Sequence, residues 1–338
     1  MIRSVGKWLG RLLVGLAVLG LVLGGVVWTW PPEPPLPAPR FDTAALPDDL
    51  DAWLAAREAT VGGIVPGAEK RILWAGEPNT RTPVSVVYLH GFSATSEEIR
   101  PVPDNLAQAL GANLYFARLA GHGRDGAALA AAQAEDWLVD LAEALAIGAR
   151  IGERVIVMGT STGGALAVAG LGTPALRAAL PGADRVAGLV LVSPNLRLAS
   201  AAGALLDLPL VEHWGYLFAG REQEFETLSP EHAKYWTERY PTEALYPMAR
   251  LMRAARAVDP AGMTVPLLLV VSEEDDVVDP ATSLAMAAAW GGPAVVLRVQ
   301  PGPGDDPMHH VIAGAILSPG LTGPVSAAAV EWARGLAP

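Results

Sequence analysis

From about residue 84 onward, short runs of β-branched and other apolar residues alternate with longer, Ala-rich stretches of helical period. Six of the runs read as strands: residues 84–89, 113–117, 154–158, 187–192, 267–271 and 295–299. Several are apolar almost throughout, as a strand covered on both faces of a parallel sheet must be. Between them, residues 97–110, 134–151, 161–170, 280–290 and 325–336 read as helices, with Asp279 an N-cap before Pro280 in the first turn. The alternation predicts an α/β fold: a mostly parallel central sheet with helices on both faces. From about residue 196 to 264 the rhythm breaks. No convincing strand is present, only helical segments punctuated by Pro209, Pro230, Pro241, Pro247 and Pro260, which predicts an inserted helical cap. This window holds eight of the chain's 21 aromatic residues: Trp214, Tyr216, Phe218, Phe225, Tyr235, Trp236, Tyr240 and Tyr246. Most are expected to pack the cap onto the body, and a few to line an apolar pocket.

The N-terminus follows another pattern. Residues 12–30 are nineteen positions without a charge, and a helix of that length spans roughly 28 Å, the thickness of a bilayer core. Arg3, Lys7 and Arg11 precede the run, Glu33 follows it, and Trp8, Trp28 and Trp30 stand where interfacial aromatics belong. Residues 1–30 are therefore expected to form a cytoplasmic N-terminus and a single-pass membrane anchor, with the rest of the chain extracytoplasmic. A cleaved signal peptide is the rival, but its apolar core is shorter and ends in small residues, whereas this run ends Val26-Val27-Trp28-Thr29-Trp30. Gly20 and Gly24 have the GxxxG spacing and are read as ordinary membrane-helix glycines. Residues 31–40 are too rich in proline for helix or sheet and predict an extended spacer. Residues 41–338, about 298 in all, suit one large domain with an insertion.

Composition narrows the chemistry. The 338 residues include no cysteine, which excludes disulfides, thiolate metal sites and thiol catalysis. With 24 Lys+Arg against 35 Asp+Glu the net charge is −11, and no basic cluster is present to neutralise phosphates, so no nucleic-acid partner is expected.

The sharpest motif is Gly159-Thr160-Ser161-Thr162-Gly163-Gly164, between a predicted strand and a predicted helix. A serine on so tight a turn has a strained backbone, and small flanking residues avoid clashes there; this is a nucleophile elbow with Ser161 at its tip. Upstream, an apolar strand runs into His90-Gly91-Phe92. Gly121-His122-Gly123-Arg124-Asp125-Gly126 fits GxGxxG after a strand, but the acidic residues about 20 positions on, Asp140 and Glu143, fall inside a helix, so a dinucleotide site is rejected. Two clusters remain: Glu273, Glu274, Asp275, Asp276 and Asp279 after the strand 267–271, and Asp305, Asp306, His309 and His310 after the last strand. A metal site in the second is conceivable but lacks a spaced ligand motif. His213 and His232, in the cap, are expected to be surface or packing residues.

Together these motifs resemble the serine α/β-hydrolase superfamily, most closely its monoacylglycerol-lipase and bacterial carboxylesterase branch, over the body from Val84 to the C-terminus. The resemblance implies an α/β-hydrolase fold, no metal or organic cofactor, and cleavage of carboxylic esters, with a small or lipid-like acyl ester as substrate. It implies Ser161 as nucleophile, and the backbone amides of Phe92 and Thr162 as oxyanion donors, leaving His90 to shape the loop. The pattern Gly-x-x-Asp-x-x-Val selects Asp275 as the acid, although Ser272 replaces its glycine and Asp276 stays a substitute. The register of His-Val-Ile selects His310 over His309 as the base. The same triad would also serve an acyltransferase or thioesterase, and a silent membrane-anchored binding module is the alternative from another class.

Overall fold

The computed structural model describes residues 33–336 apart from Pro209, preceded by scattered helical positions between residues 8 and 25. The chain divides into two units, Met1–Pro35 with Leu208–Leu210, and Leu36–Asp207 with Val211–Pro338. Most of the apolar run at 12–30 lies outside the described residues. Among the described residues no helix is long and apolar enough to cross a membrane. Residues 33–40 are neither helix nor strand, as their proline density requires.

Among its described residues the second unit carries nine strands: β1 (Arg71–Leu73), β2 (Thr82–Leu89), β3 (Asn113–Phe116), β4 (Gly152–Thr160), β5 (Val186–Val192), β6 (Glu222–Glu224), β7 (Arg239–Pro241), β8 (Leu267–Val271) and β9 (Ala294–Arg298). Its longer helices are α1 (Leu50–Ala59), α2 (Val102–Leu110), α3 (Ala134–Ile151), α4 (Thr162–Gly172), α5 (Leu245–Arg256), α6 (Pro280–Ala288) and α7 (Pro319–Arg334). Seven strands form one sheet in the order β1-β3-β2-β4-β5-β8-β9, parallel throughout except for β1, which pairs antiparallel with β3.

The unbroken apolar strands have a direct cause. Val87, Leu89, Val155, Val157, Leu189, Leu191, Leu267 and Leu269 point into a layer with Trp137, Leu141 and Leu145 of α3, Leu166 of α4 and Leu251 of α5. Their neighbours Val86, Tyr88, Ile156, Met158, Val190, Val192, Leu268 and Val270 point the other way, against Leu106 of α2 and Val325 and Ala329 of α7. Successive side chains of a strand face opposite sides, so a sheet buried twice needs apolar residues at every position.

All six expected strands are present, and α3 has the expected bounds. Other elements differ. The helix expected over 97–110 begins only at Val102, because Pro101 and Pro103 are tolerated in a first turn but not further inside. α7 begins at Pro319, ahead of the expected residue 325, and runs through Pro324. The cap, expected without strands, contains the antiparallel pair β6–β7. Its positions are exposed or half-buried rather than divided between core and solvent, so no apolar period announced it. β1 is too short to stand out in the pattern, and α1 buries only Leu50, Leu54 and the charged Glu58.

Candidate active site

β4 ends at Thr160 and α4 begins at Thr162, leaving Ser161 alone at the corner with φ 48° and ψ −114°. That backbone is disfavoured for a residue with a side chain and persists only where its surroundings hold it. They do so here. The Ser161 N–H donates to Val192 O at 2.9 Å, and its carbonyl accepts from Ala165 N at 3.0 Å and Asn195 N at 2.9 Å. The flanking glycines are steric requirements: a Cβ on Gly163 would lie 2.1 Å from Leu89 O, and one on Gly159 2.7 Å from Gly163 O. The close approach of Leu89 to Gly163 also lays the His90-Gly91-Phe92 loop on the first turn of α4.

The acid and the base arrive from the far side of the sheet. After β8, Asp275 Oδ1 accepts from Val277 N and Val278 N, both at 2.9 Å, which turns Oδ2 toward His310 Nδ1 at 2.9 Å. His310 Nε2 lies 3.0 Å from Ser161 Oγ. With Nδ1–H donating its hydrogen bond to the carboxylate, Nε2 is the acceptor for the serine hydroxyl, the tautomer a general base needs. The three side chains are buried. Burial opposes a charge on His310, but the charge and hydrogen bond of Asp275, with the charges of Glu98 and Asp306, outweigh it and raise its pKa above the usual histidine value.

The neighbouring alternatives point elsewhere. Asp276 is exposed, and its N–H donates to Met308 O. His309 adopts φ 54° and sets Nδ1 3.2 Å from Glu274 O. Ser272, in the glycine position of the acid turn, accepts from Glu274 N through Oγ at 3.2 Å and so still closes the turn. Among the described residues no three His, Asp or Glu side chains are arranged to hold a metal. Asp306 instead accepts from the N–H groups of Met308, His310 and Val311 at 2.8 to 3.1 Å, anchoring the turn that presents His310. In the sequence Asp306 stands out only as a possible metal ligand; its position four residues before His310 is what marks this anchoring role.

Thr162 opens α4, so its N–H has no acceptor within the helix. Neither this amide nor that of Phe92 donates to a protein acceptor among the described residues. His90 is fully buried, and its Nε2 accepts from Leu119 N at 3.0 Å, which ties the loop down and keeps the ring away from Ser161. Burial and the neighbouring His122 hold its pKa well below the usual value. Asp140 and Glu143, weighed as dinucleotide ligands, bind the buried Lys70 Nζ at 2.9 and 2.6 Å. Of the cap histidines, His213 is exposed and His232 is buried against Phe225 and Trp236.

Above the serine lies a cavity of about 580 Å³. Phe92, Phe225, Leu228, Trp236, Tyr240 and Met248 give it an apolar wall, while Ser161, His310, Glu98 and Asp306 lie on the polar side. Three of the eight cap aromatics thus line the pocket. Trp214 and Tyr246 pack on the core beneath the cap, as most were expected to do.

A parallel sheet of this order, with a serine at the strand-to-helix corner and an insertion over it, defines an α/β-hydrolase. The family model described as serine aminopeptidase, S33, matches residues 81–303, and the chain belongs to that family. It is similar to the thermostable monoacylglycerol lipase of Bacillus sp. (strain H-257), with 26% identity over 215 residues, 59% of this chain and 73% of that enzyme. Among solved structures it resembles one from LipS and LipT, two metagenome-derived lipolytic enzymes, with a TM-score of 0.63 and 22% identity, covering 80% of this chain and 99% of that one. The monoacylglycerol lipase of Paleococcus ferrophilus gives a TM-score of 0.58 at 17% identity, covering 79% of this chain and 98% of that one. These structural likenesses speak for the fold.

Proposed function

We propose that the protein is a serine hydrolase that cleaves carboxylic esters through an acyl-enzyme, with lipid-like monoacyl esters as its substrate class. The observation that carries this is the unbroken hydrogen-bonded line from Ser161 Oγ through His310 to Asp275 at the floor of an apolar cavity. Ser161 attacks the acyl carbonyl while His310 Nε2 takes its proton. The imidazolium then protonates the leaving alkoxide, and Asp275 fixes the tautomer and offsets the charge. The amides of Phe92 and Thr162 face the tetrahedral oxyanion. In such sites the loss of one donor typically costs about 3 to 4 kcal/mol. Water, activated by the same histidine, releases the acid.

The lipid-like substrate is supported by the monoacylglycerol lipase relative and by the aromatic wall of the cavity. Anchoring is a further part of the proposal: residues 12–30 cross a membrane, residues 31–40 act as a spacer, and the hydrolase unit lies outside the cytoplasm. It is supported by the charge asymmetry and length of that run.

The test is hydrolysis of nitrophenyl esters from short to long acyl chains, with an aminoacyl nitroanilide in the same panel because the family's description names a peptidase. Ester turnover is expected to favour medium or long chains and to fall at least about 10⁴-fold in Ser161→Ala. Turnover retained in that variant, or anilide cleavage exceeding ester cleavage, contradicts the proposal.

A further inference from the structure

Glu98 is only 2% exposed and lies in the wall of the catalytic cavity, yet no step above uses it. Its Oε2 accepts from Gly91 N at 2.7 Å and from the Tyr88 hydroxyl at 3.0 Å. The Tyr88 oxygen in turn lies 3.1 Å from Thr160 Oγ1. With Tyr88 donating to the carboxylate, the Thr160 hydroxyl donates to Tyr88, and the chain of bonds has one direction. Gly91 immediately precedes Phe92, the proposed oxyanion donor, and Thr160 immediately precedes Ser161. The fit at Gly91 is close enough that a Cβ there would stand 2.5 Å from Glu98 Oε1. On its other side the loop is held by Leu119 N donating to His90 Nε2.

An oxyanion donor is effective only if it is fixed before the charge forms, and a loop amide has no helix or sheet of its own to fix it. We infer that Glu98 is a positioning residue for ester hydrolysis: its carboxylate clamps Gly91 and, through Tyr88 and Thr160, ties the oxyanion loop to the nucleophile turn. The inference rests on the ester-hydrolase function proposed above.

A buried carboxylate is costly, and a neutral group would fill the same space more cheaply in solvation terms. Burial pushes the Glu98 pKa up to about 7, against the Gly91 N–H, His310 and Tyr88, which favour its charge. The groups acting on it are the Tyr88 hydroxyl, the Gly91 amide and the charge of the His310 ring. Glu97, next in the chain, is engaged by Arg71 and Arg100. Asp306 is engaged by backbone amides. No lysine or arginine is among the described residues lining the cavity. The Glu98 charge therefore acts on His310 and contributes to its raised pKa.

The experiment compares full-length wild type, Glu98→Ala and Glu98→Gln. Reactive sites are counted by titration with a p-nitrophenyl phosphonate, so that misfolded protein does not enter the rates. Three quantities are read: kcat and KM on a nitrophenyl ester, the affinity for an alkyl trifluoromethyl ketone, whose hemiketal oxygen occupies the oxyanion position, and the pH profile of kcat/KM. In Glu98→Ala, kcat per titrated site is expected to fall about 10- to 100-fold with KM little changed, and ketone affinity to fall in parallel. Glu98→Gln keeps an oxygen for Gly91 and restores most of kcat, while the acid limb of its profile moves to lower pH because His310 has lost a negative neighbour. Unchanged kcat and ketone affinity in Glu98→Ala overturn the assignment. If that variant does not fold, Tyr88→Phe, which removes the link from the carboxylate to Thr160, decides: lowered kcat and ketone affinity support the assignment and unchanged values overturn it. A wild-type protein that is titrated by the phosphonate but hydrolyses no ester counts against the proposed function, while the ketone comparison still tests Glu98.

Discussion

Asp275 and Asp276 are adjacent carboxylates in one acidic turn, yet their surroundings separate them. Asp275 is buried, with one oxygen held by two backbone amides and the other by His310. Asp276 is in solvent. Asp275→Asn is expected to lower kcat by about 10⁴-fold, because an amide can hold the wrong imidazole tautomer. Asp276→Asn is expected to stay within about twofold of wild type, as a surface change should. The raised pKa of His310 fixes the sign of the pH dependence. The base works only when neutral, so kcat/KM is lost as the pH falls, with a midpoint above the ordinary histidine value of about 6.5. A midpoint at or below that value contradicts the coupling to Asp275. Of the residues that meet at this site, Ser161, Asp275 and His310 were legible because motif register names them. Glu98 was not. In sequence it is the second of two glutamates on an expected helix, indistinguishable from a solvated face, and only the fold turns it inward onto Gly91.

At the scale of elements, burial made most strands legible, whereas β9 was marked by its run of apolar residues although its positions are exposed or half-buried. Strands covered on both faces carry continuous apolar runs, and those at 113–117, 154–158 and 267–271 stood out for that reason. β6 and β7 are held by backbone pairing and by Arg239 against Glu224 at 2.7 Å, so hydropathy was silent on them. The late start of α2 was written in Pro101 and Pro103, where the apolar period ran on across a residue pair that cannot continue a helix. The proposed membrane helix at 12–30 belongs to this scale too, and the absence of cysteine gives a clean test of it. With Gln108→Cys, which is exposed, as the sole thiol, a membrane-impermeant maleimide added to intact cells is expected to label the protein, and the protein to sediment with membranes. Labelling only after lysis contradicts an extracytoplasmic hydrolase unit. Release of protein that begins near residue 31 supports the signal peptide over the anchor.

For the molecule as a whole, the fold puts its chemistry where parallel strands end. β4, β5 and β8 deliver Ser161, Asn195 and Asp275 at their C-terminal ends, and the turn after β9 brings His310 across to them. The cap, inserted between β5 and β8, roofs that edge with Phe225, Trp236 and Tyr240. Sequence patterning located the insertion by its broken rhythm. It could not say which aromatics would face the pocket, because that depends on how short helices turn at prolines rather than on any period. The proposed chemistry converges on one atom, the Oγ of Ser161. The most direct test is to react the full-length protein with a p-nitrophenyl alkylphosphonate, measure nitrophenol released per protein molecule, and find the adduct by mass spectrometry. One equivalent released, with the phosphonate on the peptide containing Ser161 and none in Ser161→Ala, is the expected result; no stoichiometric release from folded protein, or an adduct on another residue, contradicts it.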